Sequence, residues 1–307
     1  HLNLGWNQIT SQGARILAHS PTLNRLEALI LDSNHISDPG ALDIANSKHL
    51  GNLVQLYMQD NKIGRAGETA LRAMRSRILL DKKRKDNYLH LNEQRLDNKD
   101  IVSLAQYEKL DGIVSLSLRN NHFDYHGVQE LAHSPYLKNL KSLNLMTNAV
   151  EDKGAVLLAE SPNLSQLENL NLENTGITSL GLLALSQSPH ISRLKELNLS
   201  NNNLGEKGFR ILAESKNFKN LNKLRVSGVS FGDTEFQTLI QSDTLKQLEE
   251  LEIMGNVISR KSLDSLLDSK LFSQLKKLDL RRNSLKDVDL IFLADSPKFQ
   301  SLEALRF

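Results

Sequence analysis

A short repeat runs through the chain from end to end and constrains its fold more than any other feature. Asparagine occupies most positions of one column, and successive members of this ladder column are 27 positions apart, except that the step from Asn61 to Gln94 is 33. The ladder column comprises Asn7, Asn34, Asn61, Gln94, Asn121, Asn148, Thr175, Asn202, Val229, Asn256 and Asn283. One repeat therefore carries six extra residues, and the fixed period predicts stacked structural units.

Each repeat combines the pattern of a short strand with that of a helix. Leu143 and Leu145 alternate with Asn144 and Met146, and from Gly154 the apolar spacing becomes helical. Twelve predicted strands begin their leucine pairs at Leu2, Leu29, Leu56, Leu89, Leu116, Leu143, Leu170, Leu197, Leu224, Leu251, Leu278 and Leu305. Ten positions after each ladder residue lies an apolar helix residue, at Leu17, Ile44, Leu71, Leu104, Leu131, Leu158, Leu185, Leu212, Leu239, Leu266 and Leu293.

Composition excludes several classes of protein. The 38 Lys and Arg residues against 36 Asp and Glu residues leave a formal charge of +2, so nothing general points to nucleic acid or an anionic membrane as partner. The absence of cysteine excludes disulfides and zinc–thiolate sites and fits a reducing compartment or a bacterial source. No apolar run approaches the roughly 18 residues of a membrane span. We predict one domain over residues 1–307, and His1 in place of an initiator Met predicts a longer parent chain.

The LxLxxN pattern at the head of each repeat resembles the leucine-rich repeats. The Gly13, Leu17, Ala18 and Gly127, Leu131, Ala132 helix segments are similar to the ribonuclease-inhibitor-like subclass. The resemblance implies an α/β solenoid of about 11 coils, a right-handed horseshoe with parallel strands on the concave face and helices on the convex face. The Asn-rich, Cys-free repeats are more similar to bacterial members, which include effectors secreted into host cells. Cytoplasm, or the host cell, is the compartment implied.

Large side chains on the outward face of the early strands suggest a binding surface. Ile30, Tyr57, Tyr88 and His90 are predicted to stand on neighbouring strands about 5 Å apart, and exposed aromatic residues are favoured anchors of protein interfaces. The predicted partner-binding residues are Ile30, Tyr57, Tyr88, His90, Asn92 and Arg119. The alternative is that the aromatic rings simply pack flat on the sheet.

The six-residue insertion lies within residues 65–88 and is strongly basic. We expect it to lengthen the helix of that repeat by more than a turn. Its basic residues are Arg72, Arg75, Arg77, Lys82, Lys83, Arg84 and Lys85. The run from Lys82 to Lys85 matches a nuclear-import tetrad or a phosphate-binding patch, and the alternative is a solvated helix end. Nucleic acid is not the partner we expect.

Other candidate features favour structure over chemistry. Charges alternate between successive strands from Glu196 onward, which predicts lateral ion pairs. His122 and His126 have i,i+4 spacing, but the loop expected there gives no metal site, and no catalytic residue or cofactor is predicted. Val229 lacks the amide group of the ladder asparagines, so we predict a local defect in the ladder at that residue.

The sequence therefore predicts a protein–protein interaction scaffold with a protein partner, and the resemblance suggests a bacterial effector that acts on a host protein. The alternative is a regulatory or substrate-recognition module of an enzyme. Some members of the family belong to ubiquitin ligases that use a Cys in a separate domain, and others stimulate small GTPases through an Arg. For this chain the catalytic part of a ligase would lie outside residues 1–307, and Arg119 would be the candidate arginine.

Overall fold

The structure, a computed structural model, describes residues 1–289, 291 and 302–307; Leu293 of the helix column lies outside them. Its strands are β1 (Leu2–Asn3), β2 (Ala28–Ile30), β3 (Gln55–Tyr57), β4 (Arg84–Lys85), β5 (Tyr88–His90), β6 (Ser115–Ser117), β7 (Ser142–Asn144), β8 (Asn169–Asn171), β9 (Glu196–Asn198), β10 (Lys223–Arg225), β11 (Glu250–Glu252), β12 (Lys277–Asp279) and β13 (Ala304–Arg306). Its helices are α1 (Ser11–His19), α2 (Asp38–Ala45), α3 (Arg65–Lys83), α4 (Asn98–Ala105), α5 (Tyr125–His133), α6 (Glu151–Glu160), α7 (Ser179–Gln187), α8 (Gly205–Glu214), α9 (Asp233–Ile240) and α10 (Arg260–Leu267). All twelve predicted strands are present, and β4 is additional.

The repeated leucines form the interior of each coil. In the regular copy, Leu143 and Leu145 of the strand and Leu158 of the helix are at most 1% exposed, and Leu164 and Leu167 of the return segment are fully buried. Alternation along the strand and helical spacing after it therefore bring one apolar face of each element together. Burying these leucines provides most of the favourable free energy of each coil.

The chain divides into two compact units. The first contains residues 1–89 and 99–110, and the second contains residues 90–98 and 111–307. In the first unit, β1, β2 and β3 form a parallel sheet, while β4 pairs with the beginning of β5 in an antiparallel hairpin. In the second unit, β6 to β13 follow one another in a parallel sheet, each leucine opposite the equivalent leucine of the next repeat.

The six extra residues lengthen a helix, as predicted. Helix α3 contains 19 residues, whereas the other described helices contain 8–10. The chain leaves α3 at Lys83 and enters β4 directly. Within the residues described, no helix is both long and apolar enough to cross a membrane.

The ladder asparagines join the loops of successive coils. The amide nitrogen of Asn121 donates to the carbonyls of Leu91 and Leu118, at 2.9 and 2.7 Å. Its amide oxygen accepts from the backbone nitrogens of Gln94 and Leu96, at 3.1 and 3.0 Å. Because Asn121 is 5% exposed, these four bonds satisfy backbone groups that water cannot reach. The buried Asn202 repeats this arrangement.

Where threonine or valine replaces asparagine in the ladder, the preceding coil changes shape, whereas Gly64 in the coil before Gln94 keeps an extended backbone. The residue 24 positions before six of the ladder asparagines has an extended backbone, at Thr10, Ser37, Asp124, Thr178, Gly232 and Ser259. The equivalent residues before Thr175 and Val229 are Glu151 and Gly205, which have left-handed φ angles of +56° and +59°.

We attribute the change to the missing amide oxygen, because the Thr175 hydroxyl donates to the Leu172 carbonyl and Val229 has no polar side-chain atom. The amide oxygen of Asn202 accepts a 3.0 Å bond from the nitrogen of Ile177, which holds the backbone extended at that point. At the equivalent residues Val150 and Leu204 the backbone is right-handed helical instead. The loop at Val229 itself is hydrogen-bonded, since the nitrogens of Val229 and Phe231 donate to the amide oxygen of Asn256 at 3.1 and 3.4 Å. The predicted defect at that residue is therefore wrong in its location, and the change lies in the preceding coil. The same change before Thr175 was not predicted.

Candidate interaction surface

The first unit presents two of the predicted anchors side by side. Ile30 on β2 lies in register with Tyr57 on β3. Ile30 is half-buried, and Tyr57 is 43% exposed. The preceding strand leucine, Leu29, is fully buried, so alternation places Ile30 and Tyr57 on the opposite, outward face. The predicted neighbourhood of these two side chains is confirmed.

The position predicted for Tyr88 beside Tyr57 is wrong. The first sheet ends at β3, and β4 pairs with the beginning of β5 so that Lys85 lies opposite Tyr88. The reason is the long helix α3, from which the chain returns as an antiparallel hairpin. Tyr88 is 51% exposed, but it stands on a different sheet from Tyr57.

The remaining predicted contacts belong to the second unit. His90 is exposed. The side-chain oxygen of Asn92 accepts bonds from the Ser117 hydroxyl at 2.7 Å and from the Arg119 backbone nitrogen at 3.0 Å. The Arg119 guanidinium forms an ion pair with Glu93. Asn92 thus holds Ser117 and the backbone of Arg119 in place. The six predicted partner-binding residues are divided between the two units.

Three arginines of the basic insertion contact their own unit. Arg72 and Arg75 each lie 2.9 Å from a different carboxylate oxygen of Asp100, whose side chain is 4% exposed. Arg77 donates a 3.2 Å bond to the carbonyl of Ala45. These arginines neutralise a buried carboxylate and join α3 to the coils on either side of it.

The end of the insertion contains two kinds of basic residue. Lys82 donates a 2.5 Å bond to the carbonyl of Asn52, and Arg84 donates to two backbone carbonyls, at 2.8 and 2.6 Å. Lys83 and Lys85 are exposed and form no ion pair with any residue that the structure describes. These two lysines are the part of the predicted basic patch whose charge stays available.

The charged strands of the second unit neutralise one another, as predicted. The Glu250 carboxylate lies 2.6 Å from both Lys223 and Lys277, and the Arg225 guanidinium lies 2.9 Å from Glu252. Burial raises the pKa of Glu250, but its bonds to the two lysines outweigh that effect and leave the pKa below its ordinary value. This face therefore offers little net charge to a ligand.

The two histidines considered for metal binding are separated by structure. His122 lies in the loop before α5, and His126 lies on α5, where its ring stacks on Tyr125 and contacts the Asp124 carboxylate at 2.9 Å. Within the described ranges, no group of three or more metal-binding side chains is assembled.

The outer edge of β3 is a feature that the sequence analysis did not predict. No strand pairs with this edge among the described residues. The signal available in the sequence was the insertion itself, since extra residues between two strands alter how the chain returns to a sheet.

Comparison with known proteins finds leucine-rich repeats in parts of the chain. Leucine-rich repeat profiles match residues 1–18, 22–45, 136–159 and 193–214. No curated protein matches the chain. Among solved structures, the internalin InlF of Listeria monocytogenes is 19% identical, covering all of this chain and 86% of its own, with a TM-score of 0.48. Internalin C2 of the same species is 19% identical over 76% of this chain and 84% of its own, with a TM-score of 0.47. A leucine-rich repeat protein of Leptospira interrogans is 20% identical over 93% and 73%, with a TM-score of 0.40.

The structural resemblances are low in both identity and TM-score, and the sequence matches are more informative. The matched segments lie in both units, where parallel strands alternate with helices. The four matched segments and this alternation support an α/β leucine-rich repeat fold.

Proposed function

We propose that this chain is a protein-binding module that contacts its partner through the outward strand face of the first unit. The observation that carries the proposal is the in-register pair of Ile30 and Tyr57, in which a partly exposed aliphatic side chain adjoins an exposed tyrosine. A tyrosine provides a large apolar area, a hydroxyl for hydrogen bonding and few rotatable bonds, which makes it a favoured interface anchor.

The partner we propose is a protein of a host cell, which this chain would bind as a secreted bacterial effector. This part of the proposal is supported by the Asn-rich, Cys-free repeats, which are similar to bacterial members of the family. We further propose that exposed Tyr88 in the first unit, and His90, Asn92 and Arg119 in the second, make secondary contacts.

The proposal is tested by capture and then by substitution. The full chain serves as bait for host-cell proteins, and the affinity of a captured protein is measured by calorimetry. Tyr57→Ala should weaken binding about tenfold, roughly 1.4 kcal/mol, because it removes an anchor from the contact. Leu180→Ala, at a 67% exposed position on α7, should leave the affinity unchanged. Equal affinity for the Tyr57 variant and the original chain would contradict the proposal.

A further inference from the structure

Three neighbouring strands of the second unit, β6, β7 and β8, present an uncharged surface of amides and hydroxyls. Its half-buried side chains, here called the amide surface, are Ser115, Ser142, Asn144, Asn169 and Asn171. Each lies in register with its equivalent on the next strand. The leucine between them on β7, Leu143, is 1% exposed, so alternation along the strand turns the polar side chains to the opposite, outward face.

Two of these amides are fixed in orientation with their nitrogens unused. The side-chain oxygen of Asn144 accepts a 3.0 Å bond from the backbone nitrogen of Met146, and the side-chain oxygen of Asn171 accepts a 3.0 Å bond from that of Glu173. Neither amide nitrogen donates to any residue that the structure describes. Because the oxygens are tied to the protein's own backbone, the two nitrogens are donors held ready for a ligand, and such preorganisation lowers the cost of binding.

The amide surface carries no charge, unlike the strands that follow it. It ends at Glu173, whose carboxylate accepts bonds from the side chains of Asn198 and Asn201, at 3.0 and 3.1 Å. Met146, two positions after Asn144 and half-buried, adds an apolar contact. A charged ligand would lose its hydration on this surface without meeting an opposite charge, whereas neutral polar groups cost much less to remove from water. The surface therefore favours an uncharged ligand.

The spacing of the amide surface separates two classes of uncharged ligand. Neighbouring strands lie about 4.8 Å apart, so equivalent side chains repeat at that distance across the three strands. An extended peptide repeats its hydrogen-bonding groups every two residues, about 6.7 Å, and does not match this spacing. One sugar ring of a straight polysaccharide is close to the strand spacing in length. Its hydroxyls both donate and accept, as do the amide and hydroxyl side chains of the surface.

We propose that the amide surface binds an uncharged, extended polysaccharide chain that runs across the strands, with one sugar ring on each of β6, β7 and β8. The free nitrogens of Asn144 and Asn171 donate to hydroxyls of the rings. The C–H face of one ring packs against Met146. This function goes beyond the proposed protein binding and uses none of the residues on which that proposal rests.

The test titrates the full chain with cellopentaose, a straight chain of glucose rings, by isothermal titration calorimetry. Asn144→Asp combined with Asn171→Asp should weaken binding at least about tenfold, because aspartate keeps the oxygen that accepts from the backbone and loses the donor. Asn3→Asp combined with Asn139→Asp, at exposed positions outside the amide surface, makes the same change in charge and should leave the affinity unchanged. Maltopentaose, whose linkages curve the glucose chain, should bind at least about tenfold more weakly than cellopentaose.

Nuclear magnetic resonance of the original chain provides a second measurement, which does not depend on the stability of a variant. Cellopentaose should shift the side-chain amide signals of Asn144 and Asn171, while those of Asn3 and Asn139 stay in place. Four results would each overturn the proposal: no binding of cellopentaose, equal affinity of the Asn144 and Asn171 double variant, equal affinity for maltopentaose, or unshifted amide signals of these two asparagines. None of them bears on the tyrosine anchor, which is judged by the affinity of the captured protein for the Tyr57 variant.

Discussion

Replacing Val229 with asparagine should restore a missing step of the ladder and stabilise the protein. The new amide can donate to the carbonyls of Leu199 and Val226 and accept from the nitrogens of Asn202 and Leu204, as Asn121 does for its own neighbours. Four bonds at about 1 kcal/mol each outweigh the roughly 2 kcal/mol lost when a buried valine side chain is removed. We expect the free energy of unfolding to rise by about 2 kcal/mol.

The same substitution should change the conformation of Gly205. Gly205 now has φ of +59°, and a Cβ there would meet no atom within 4 Å, so Gly205→Ala should cost about 1 kcal/mol through the backbone alone. With asparagine at 229 the backbone should become extended, and Gly205→Ala should then stabilise the protein by about 0.5 kcal/mol through the unfolded state. The two changes should therefore couple by about 1.5 kcal/mol.

Urea unfolding of the original chain, both single variants and the double variant measures this coupling. Gly51→Ala, where a Cβ also meets no atom within 4 Å, is the matched control and should not couple to position 229. Hydrogen exchange at Asn202 and Leu204 should slow in the asparagine variant, because both amides gain an acceptor. If Gly205→Ala costs the same with valine and with asparagine at 229, the ladder side chain does not determine the loop conformation.

Two further predictions concern the carboxylates of Asp100, which is buried, and Asp233, which is half-buried. Asp100→Asn should lower the free energy of unfolding by about 2 kcal/mol, because it weakens the ion pairs with both Arg72 and Arg75 while these partly exposed arginines regain water. Asp81→Asn is the control in the same urea assay. It breaks an exposed ion pair and should cost under about 1 kcal/mol. Burial raises the pKa of Asp233, but two serine hydroxyls and one backbone amide donate to it and bring the pKa below its ordinary value. The stability it provides is present above the unfolded-state pKa and is lost as the pH falls through the folded-state pKa, so Asp233→Asn should flatten the fall in stability between about pH 5 and pH 3. If the free energy of unfolding of the Asp233→Asn variant fell as steeply with pH as that of the original chain, Asp233 would not be the source of this pH dependence.

The sequence predicted the coils because burial imposes a pattern on it. A strand leucine such as Leu143 and a helix leucine such as Leu158 must both face the interior, and each coil repeats that requirement. The effect of Val229 was predictable for a similar reason, because a valine cannot replace an amide that bonds on both sides. Its location was not, since the lost acceptor serves the coil before it, where Gly205 adopts the left-handed conformation.

The candidate site was only partly predictable. Alternation and the fixed period were sufficient to place Ile30 beside Tyr57. They could not place Tyr88, because its position depends on how the chain returns from α3 and no periodic pattern describes that path. The ion pairs of Arg72 and Arg75 with Asp100 were also hidden, since Asp100 lies 28 and 25 positions after the two arginines and meets them only when neighbouring helices pack.

The insertion affects the sheet because a helix grows along its axis. At 1.5 Å per residue, the 19 residues of α3 span about 28 Å, whereas helices of 8–10 residues span about 12–15 Å. The chain therefore leaves α3 beyond the point at which the other coils turn back, and it reverses through β4 against β5. That hairpin pairs with β5, and the three-stranded sheet ends at β3. One insertion thus changes the order of the strands, whereas a ladder substitution such as Val229 changes only a loop.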